Sequence, residues 1–178
     1  MTENVKAKID AVVEEFSNIG IVPVIKLDKV ENAEKLAKAL RDGGINCAEV
    51  TFRAKGADEV IARMVKAYPD MMVGAGTVLT CEQADAAYAA GAKFCVAPGL
   101  NPKVVSHCLE KGIPFAPGLS SASEIEQALE LGLDFVVLPR RAGGRRGIHQ
   151  IGVRSLSEHA LHAHGRSFGR QPQQLPCI

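Results

Sequence analysis

At 178 residues, 47% hydrophobic and 23% charged, the chain is long enough for one domain with its own core and ordinary for a soluble globular protein. Aromatics are 4% with no Trp, which argues against base stacking, and the longest apolar stretches are strand-sized, far short of a membrane span. The net charge of +1 hides an asymmetry: residues 1–137 hold 14 Lys+Arg against 19 Asp+Glu, and residues 138–178 hold seven Arg, no Lys, four His and the single acid Glu158.

The chain opens on MTENVKAKIDAVVEEF, acidic and amphipathic. It has neither a signal peptide's apolar core nor a transit peptide's arginines, so a cytoplasmic location is expected. A regular alternation follows. "IVPVIKL" (Ile21–Leu27) reads as a strand, and "VENAEKLAKALRDGG" places Val30, Ala33, Leu36, Ala37 and Leu40 at helical spacing before a glycine stop. Then come "NCAEVTF", "MMVGAG", "KFCVAP", "IPFAPG" and "LDFVVLP" as strands, with the helices "KGADEVIARMVKAYP", "TCEQADAAYAAG", "NPKVVSHCLEKG" and "SASEIEQALELG" between them. Thr, Asn or Ser precedes several helices, as N-caps do. The strands are apolar on both faces, the mark of a parallel sheet covered on both sides. A parallel barrel and a doubly wound sheet suit six such units equally. After Pro139 the periodicity dissolves: no convincing strand is visible, and at most a weak helix near Ser155–His162. Two segments are therefore expected, an α/β unit over residues 1–137 and a basic, irregular tail over 138–178 that is not a true domain.

Working residues in parallel α/β proteins gather at the C-terminal ends of the strands. There "AEVTFR" alternates, with Glu49, Thr51 and Arg53 expected on one face and Val50 and Phe52 on the other. The pair Glu49 and Arg53 reads either as a structural ion pair or as working charges in a cleft. "VGAGTV" offers Gly74, Gly76 and the hydroxyl of Thr77, where glycines would let a ligand approach the backbone; a phosphate turn is the sharper alternative, on a weak motif. "APGL" recurs at Ala97–Leu100 and Ala116–Leu119, as turn chemistry or ligand contact. His107 lies among apolar helix positions and reads as a helix-surface or helix-packing residue. His159, His162 and His164 lack standard metal-ligand spacing, and the five cysteines show no CxxC, so neither metal nor cofactor is expected. Cys47 and Cys95 read as small core residues.

Together "VPVI", "EVTFR", "VGAGTVL", "GAKFCVAPGLNP", "IPFAPGLSSASEI" and "ALELGLDFV", in this order from about Ile21 to Val136, resemble the bacterial 2-keto-3-deoxy-6-phosphogluconate (KDPG) aldolases, including the bifunctional 4-hydroxy-2-oxoglutarate forms. The resemblance implies a (β/α)8 TIM barrel, usually a homotrimer without metal, that cleaves a phosphorylated keto-acid to pyruvate and glyceraldehyde 3-phosphate through a lysine Schiff base. It implies that Glu49 is the general acid/base, that Arg53 and Thr77 bind the pyruvate carboxylate, and that Pro98 lies near the pyruvate.

The departure from the family pattern is at the sixth strand. Where the family reads like "KFFPAE", Val137 stands at the Schiff-base lysine position and "LPRRAGG" follows. Segments resembling the phosphate-holding seventh and eighth strands are missing. A frameshift at the lysine codon accounts for this. One choice of codons for Leu138–Gly144, CTT-CCC-CGC-CGA-GCA-GGC-GGG, encodes FPAEQAG when regrouped one base along. Glu158–Arg166 regroups likewise to NMRFMPTG. A partial barrel of six strands, inactive in Schiff-base chemistry, is then expected. Two other readings compete. One is a truncated α/β scaffold whose arginine-rich tail binds nucleic acid, though without aromatic interleaving or a recognition motif. The other is a different barrel enzyme using an earlier lysine such as Lys26.

Overall fold

Six short apolar runs become strands, and all but the first, whose Val24 is 48% exposed, bury most of their described side chains. The computed structural model describes residues 3–133, 135–139 and 151–155. The order is α1 (Glu3–Ile19), β1 (Val24–Ile25), a 3-10 turn (Val30–Asn32), α2 (Ala33–Asp42), β2 (Cys47–Thr51), α3 (Ala57–Ala67) and β3 (Met72–Gly76). It continues with α4 (Cys81–Ala89), β4 (Cys95–Ala97), α5 (Pro102–Lys111), β5 (Phe115–Pro117), α6 (Ala122–Glu130), β6 (Phe135–Pro139) and β7 (Ile151–Ser155).

Strands β1 to β5 form one parallel sheet in the order β1-β2-β3-β4-β5. Strand β6 joins its far side through a parallel bridge between Gly118 and Val137, and the Leu119 N–H donates to the Val137 carbonyl at 2.9 Å. A doubly wound sheet must reverse direction at a switch point, whereas here each new strand is added on the same side. The sequential order selects the barrel-type path. Among the described residues, no helix is long and apolar enough to cross a membrane.

Side-chain alternation divides the core in two. One face of the sheet presents Ala48, Val50, Val73, Ala75, Cys95, Phe115 and Val136 to α2–α6, in a cluster with Ala37, Ile61, Met64, Val105 and Ala128. The other, inner face presents Cys47, Met72, Phe94, Ala116 and Phe135 to Val5, Ile9 and Val12 of α1. Those α1 residues are spaced by four and three, so they form one stripe along the helix. Phe16 completes the seat, edge-on to Phe94 with ring centroids 4.7 Å apart and 6.3 Å from the Phe135 ring. Lys8 adds a polar tie, donating to the Gly112 carbonyl at 3.1 Å and to the Tyr88 hydroxyl at 3.0 Å.

The expected N-caps are present for three helices. Thr80 accepts from Gln83 N–H, Asn101 from Lys103 N–H, and Ser121 forms a reciprocal capping box with Glu124.

The segment after Pro139 shows no convincing strand in its sequence, yet β7 pairs antiparallel with β6, from Phe135↔Ser155 to Pro139↔Ile151. "IGVRS" alternates over only five residues, and what decides its state is the β6 edge beside it rather than its own pattern. The irregular tail thus contains a seventh strand. Ser155 of the expected weak helix belongs to β7, and the rest of that helix lies outside the described residues.

Replacing Ile9 by Ala removes a buried side chain from the seat of α1. It is expected to cost about 2–4 kcal/mol of unfolding free energy, measured by urea denaturation. A loss below about 0.5 kcal/mol would mean that α1 contributes little to the core.

Candidate active site

Strand β2 places Glu49 on the inner face, two residues beyond Cys47, and in register with Gly74. Thr51, next on that face, is 1% exposed and donates its hydroxyl to the Ile25 carbonyl at 3.1 Å, fastening β2 to β1. The strand ends there, so the alternation expected to run on to Arg53 does not reach it. Arg53 sits exposed in the following turn. No ion pair within 4.0 Å joins Arg53 to Glu49 among the described residues, so the simple structural pair is absent. Burial pushes the Glu49 carboxyl up to about 7, and the nearby Arg53 charge only partly offsets it. A carboxyl held near neutrality can both accept and return a proton.

The glycines of "VGAGTV" make room for neighbouring side chains. A side chain on Gly74 would collide with the Phe94 ring, and one on Gly76 would fall on the Glu49 carboxylate. Strand β3 therefore brings no side chain of its own to the inner face at these positions, and its neighbours fill the space. Phe94 was not among the sequence candidates. Its alternation with Val96 in "KFCVAP" was the available signal that it shares the face of Glu49.

Thr77 follows directly, with φ at +57°. A β-branched residue in the left-handed region is strained, and strain of this kind collects at functional sites. It is the non-glycine residue with positive φ among those described, and it sits at the C-terminal end of β3. Pro98 is exposed just past β4, and a side chain on Gly118 would strike the Pro98 carbonyl, so the two Pro-Gly turns pack backbone to backbone. Val137, on β6, is partly buried and packs against the inner cluster beside Phe135, on the face that carries Glu49.

The N-termini of α4, α5 and α6, which open beside the ends of β3, β4 and β5, are capped by the chain's own side chains. Glu124 accepts from the Ser120 and Ser121 N–H groups at 2.7 and 2.9 Å, which holds its carboxyl below the usual range. A cavity of about 610 Å³ lies at the other end, against α1 and the starts of β3–β5, lined by Lys8, Glu15, Asp70, Met72 and Lys93. It is remote from Glu49 in the fold, and in parallel barrels the N-terminal end serves stability.

The remaining candidates are structural or undescribed. Cys47 and Cys95 are buried, and burial pushes the Cys47 thiol up to about 12 and that of Cys95 higher still. His107 pairs with Asp85 at 2.9 Å between α5 and α4, as a packing residue does. Lys26 is exposed and bridged to Asp28 at 2.8 Å. His159, His162 and His164 lie outside the described residues, and among those described no cluster of His, Cys, Asp and Glu could hold a metal.

A sequence model of the family "KDPG and KHG aldolase" matches residues 12–154, from α1 into β7. That match runs past Val136, where the motif-by-motif resemblance stops. The 2-dehydro-3-deoxy-phosphogluconate aldolase of Treponema pallidum is 53% identical over 123 residues, 69% of this chain and 59% of that protein. Among solved structures, the KDPG aldolase of Zymomonas mobilis ZM4 with 3-phosphoglycerate superposes with a TM-score of 0.65 at 37% identity, over 71% of this chain and 58% of the other. The Legionella pneumophila KDPG aldolase, with pyruvate captured as a covalent carbinolamine, gives a TM-score of 0.64 at 36% identity, over 67% and 58%. The chain thus spans about three fifths of the length of these relatives.

Two measurements test the geometry. A carboxyl whose folded value lies above its unfolded one binds its proton more tightly in the native state. It therefore adds stability at low pH that is lost as pH rises through about 7. Between pH 5 and 8 the chain is expected to lose about 2–3 kcal/mol from this source, and Glu49→Gln is expected to lack that leg of the urea-derived profile. Thr77→Gly relieves the left-handed strain and is expected to raise unfolding free energy by about 1 kcal/mol.

Proposed function

The chain belongs to the KDPG and KHG aldolase family, and from that premise we propose that it carries the pyruvate-handling part of a class I aldolase site without the Schiff-base lysine. The observation that carries the reading is Glu49, a carboxyl lifted toward neutrality by burial on the inner face of a parallel barrel-type sheet, beside the exposed guanidinium of Arg53.

In the reaction so proposed, a phosphorylated 2-keto-acid such as KDPG splits into pyruvate and glyceraldehyde 3-phosphate. Its carboxylate is held by the Arg53 fork and the Thr77 hydroxyl, with Pro98 alongside. Glu49 takes the proton of the C4 hydroxyl as the C3–C4 bond breaks. The electron pair of that bond needs an iminium sink, which a lysine amine would form with the C2 carbonyl. At the corresponding place on β6 stands Val137, whose side chain can form no imine. The chain as written would bind the keto-acid end and fail to turn it over. No metal or other cofactor enters this reading. The compartment proposed is the cytoplasm, and the assembly is the homotrimer of the family.

The codon regrouping supports a lost reading frame at this position, so that Val137 replaces a lysine and the basic tail over 138–178 replaces the last strand–helix units. The nucleic-acid reading of the tail has no comparable support. The tail has no aromatic interleaving and no recognition motif beside its seven arginines.

Borohydride reduction in the presence of pyruvate, followed by mass spectrometry, tests the proposal. The chain as written is expected to gain no pyruvate adduct, and Val137→Lys to gain one at that residue. An adduct on Lys26 of the unaltered chain would overturn it in favour of an earlier lysine. Pyruvate binding followed by NMR is expected to weaken about 10–100-fold in Arg53→Ala, the worth of a charge-assisted pair. Resequencing the codons for Phe135–Gly144 is expected to return the lysine frame if the shift is an error of reading, and the present codons if it belongs to the gene.

A further inference from the structure

Glu49 reaches its place only because two other residues leave or shape the room. Its side chain crosses β3 above Gly76. A Cβ built there would lie 2.7 Å from the Glu49 carboxyl carbon and 2.9 Å from its Cγ, and closer still to Oε1. One same-face position below on β3, on the order of 7 Å away, Gly74 is overlaid by the Phe94 ring. That ring is 1% exposed and is held edge-on by Phe16 of α1. The inner face under the carboxylate is therefore a hydrocarbon floor braced from α1, and the slot beside it has the width of a missing methyl group.

We propose that Gly76 and Phe94 are positioning residues for Glu49: Gly76 vacates the slot that the carboxylate fills, and Phe94, seated over Gly74 and braced by Phe16, keeps water from beneath it. The inference rests on Glu49 being the acid/base for its meaning in the reaction, but the arrangement itself stands apart from turnover. The glycines of β3 thus set the protonation behaviour of a carboxyl on β2.

Few other charges bear on the slot. Arg53, on the turn after β2, favours the carboxylate, and Cys47 lies below Glu49 on the same strand with its thiol kept protonated. From β3 and β4 the facing groups are Gly74, Gly76 and Phe94, none of them titratable. Toward β1 the contact is the hydrogen bond from Thr51 to the Ile25 carbonyl, and Lys26 and Asp28 beyond it neutralise one another.

The experiment follows the Glu49 carboxyl by carbon NMR of glutamate-labelled chain across pH 4–9, assigned by the signal lost in Glu49→Gln. The unaltered chain is expected to titrate near neutrality. In Gly76→Ala the added methyl group meets the far end of a flexible side chain, so the fold is expected to survive and the carboxylate to swing toward water. Its proton affinity should fall by about tenfold or more. Phe94→Leu should move it in the same direction by a smaller factor. A folded Gly76→Ala with an unchanged titration overturns the proposal. Stability adds a second readout. The loss in urea midpoint caused by Gly76→Ala is expected to vanish when Glu49→Ala is also present, because the clash is then gone. An equal loss in both backgrounds overturns it, as does a double variant that cannot fold. Failure of the acid/base reading looks different: Glu49 titrates as described in the Gly76 and Phe94 variants, while in a Val137→Lys background Glu49→Gln leaves proton exchange at the methyl group of bound pyruvate untouched.

Discussion

A parallel strand can reach its neighbour only by a crossover, and the described chain repeats that crossover in one direction from β1 to β6. Each return passes through a helix on the same side, so every strand points its C-terminal end the same way. That single constraint gathers Thr51, Thr77, Pro98 and Val137 at one end of the sheet, although they are spread over half the sequence. It also leaves one face of the sheet free of helices α2–α6. Helix α1 covers the lower part of that face, and Glu49 occupies the part above.

The division of labour between the two faces explains how a carboxyl can be kept half out of water without a partner. The outer face is filled conventionally, by small and branched side chains from strands and helices that interlock. On the inner face, β3 carries glycine where its neighbours carry bulk, so Phe94 and Glu49 lean across it from opposite sides. With no cation in contact among the described residues, a partly buried carboxyl costs free energy as an anion, and the protein meets that cost by letting it keep its proton up to about pH 7. Thr77 adds local strain at the same end of β3. Both features lower stability at the same end of the sheet.

Much of this fold is legible in the sequence, and for physical reasons. Strands buried on both faces and helices with one apolar stripe leave unlike periodicities, so six strands and the helices between them can be read directly. Caps such as Thr80, Asn101 and Ser121 are local and equally plain. Glu49 and Thr77 stand out because polar groups at the ends of buried strands need a reason. What stays hidden depends on neighbours distant in the chain. "GAG" does not say whether its glycines admit a ligand or a phenyl ring, since Phe94 arrives from the next strand. "IGVRS" becomes β7 only beside β6. β2 ends at Thr51, which leaves Arg53 in a turn, and no period in "EVTFR" marks that boundary.

The seat of α1 also has a temporal side. The helix leaves the ribosome before any strand exists, yet the groups it rests on are scattered through the whole sheet, and its Lys8 finds the Gly112 carbonyl 104 residues later. Until Phe94, Ala116 and Phe135 have been made and stacked, the stripe formed by Val5, Ile9, Val12 and Phe16 has nothing to cover it. The nascent chain therefore carries an adhesive helix ahead of its strands until β6 has been made. Contacts that close so late in the sequence make for slow folding and a long interval in which chaperones can grip that stripe.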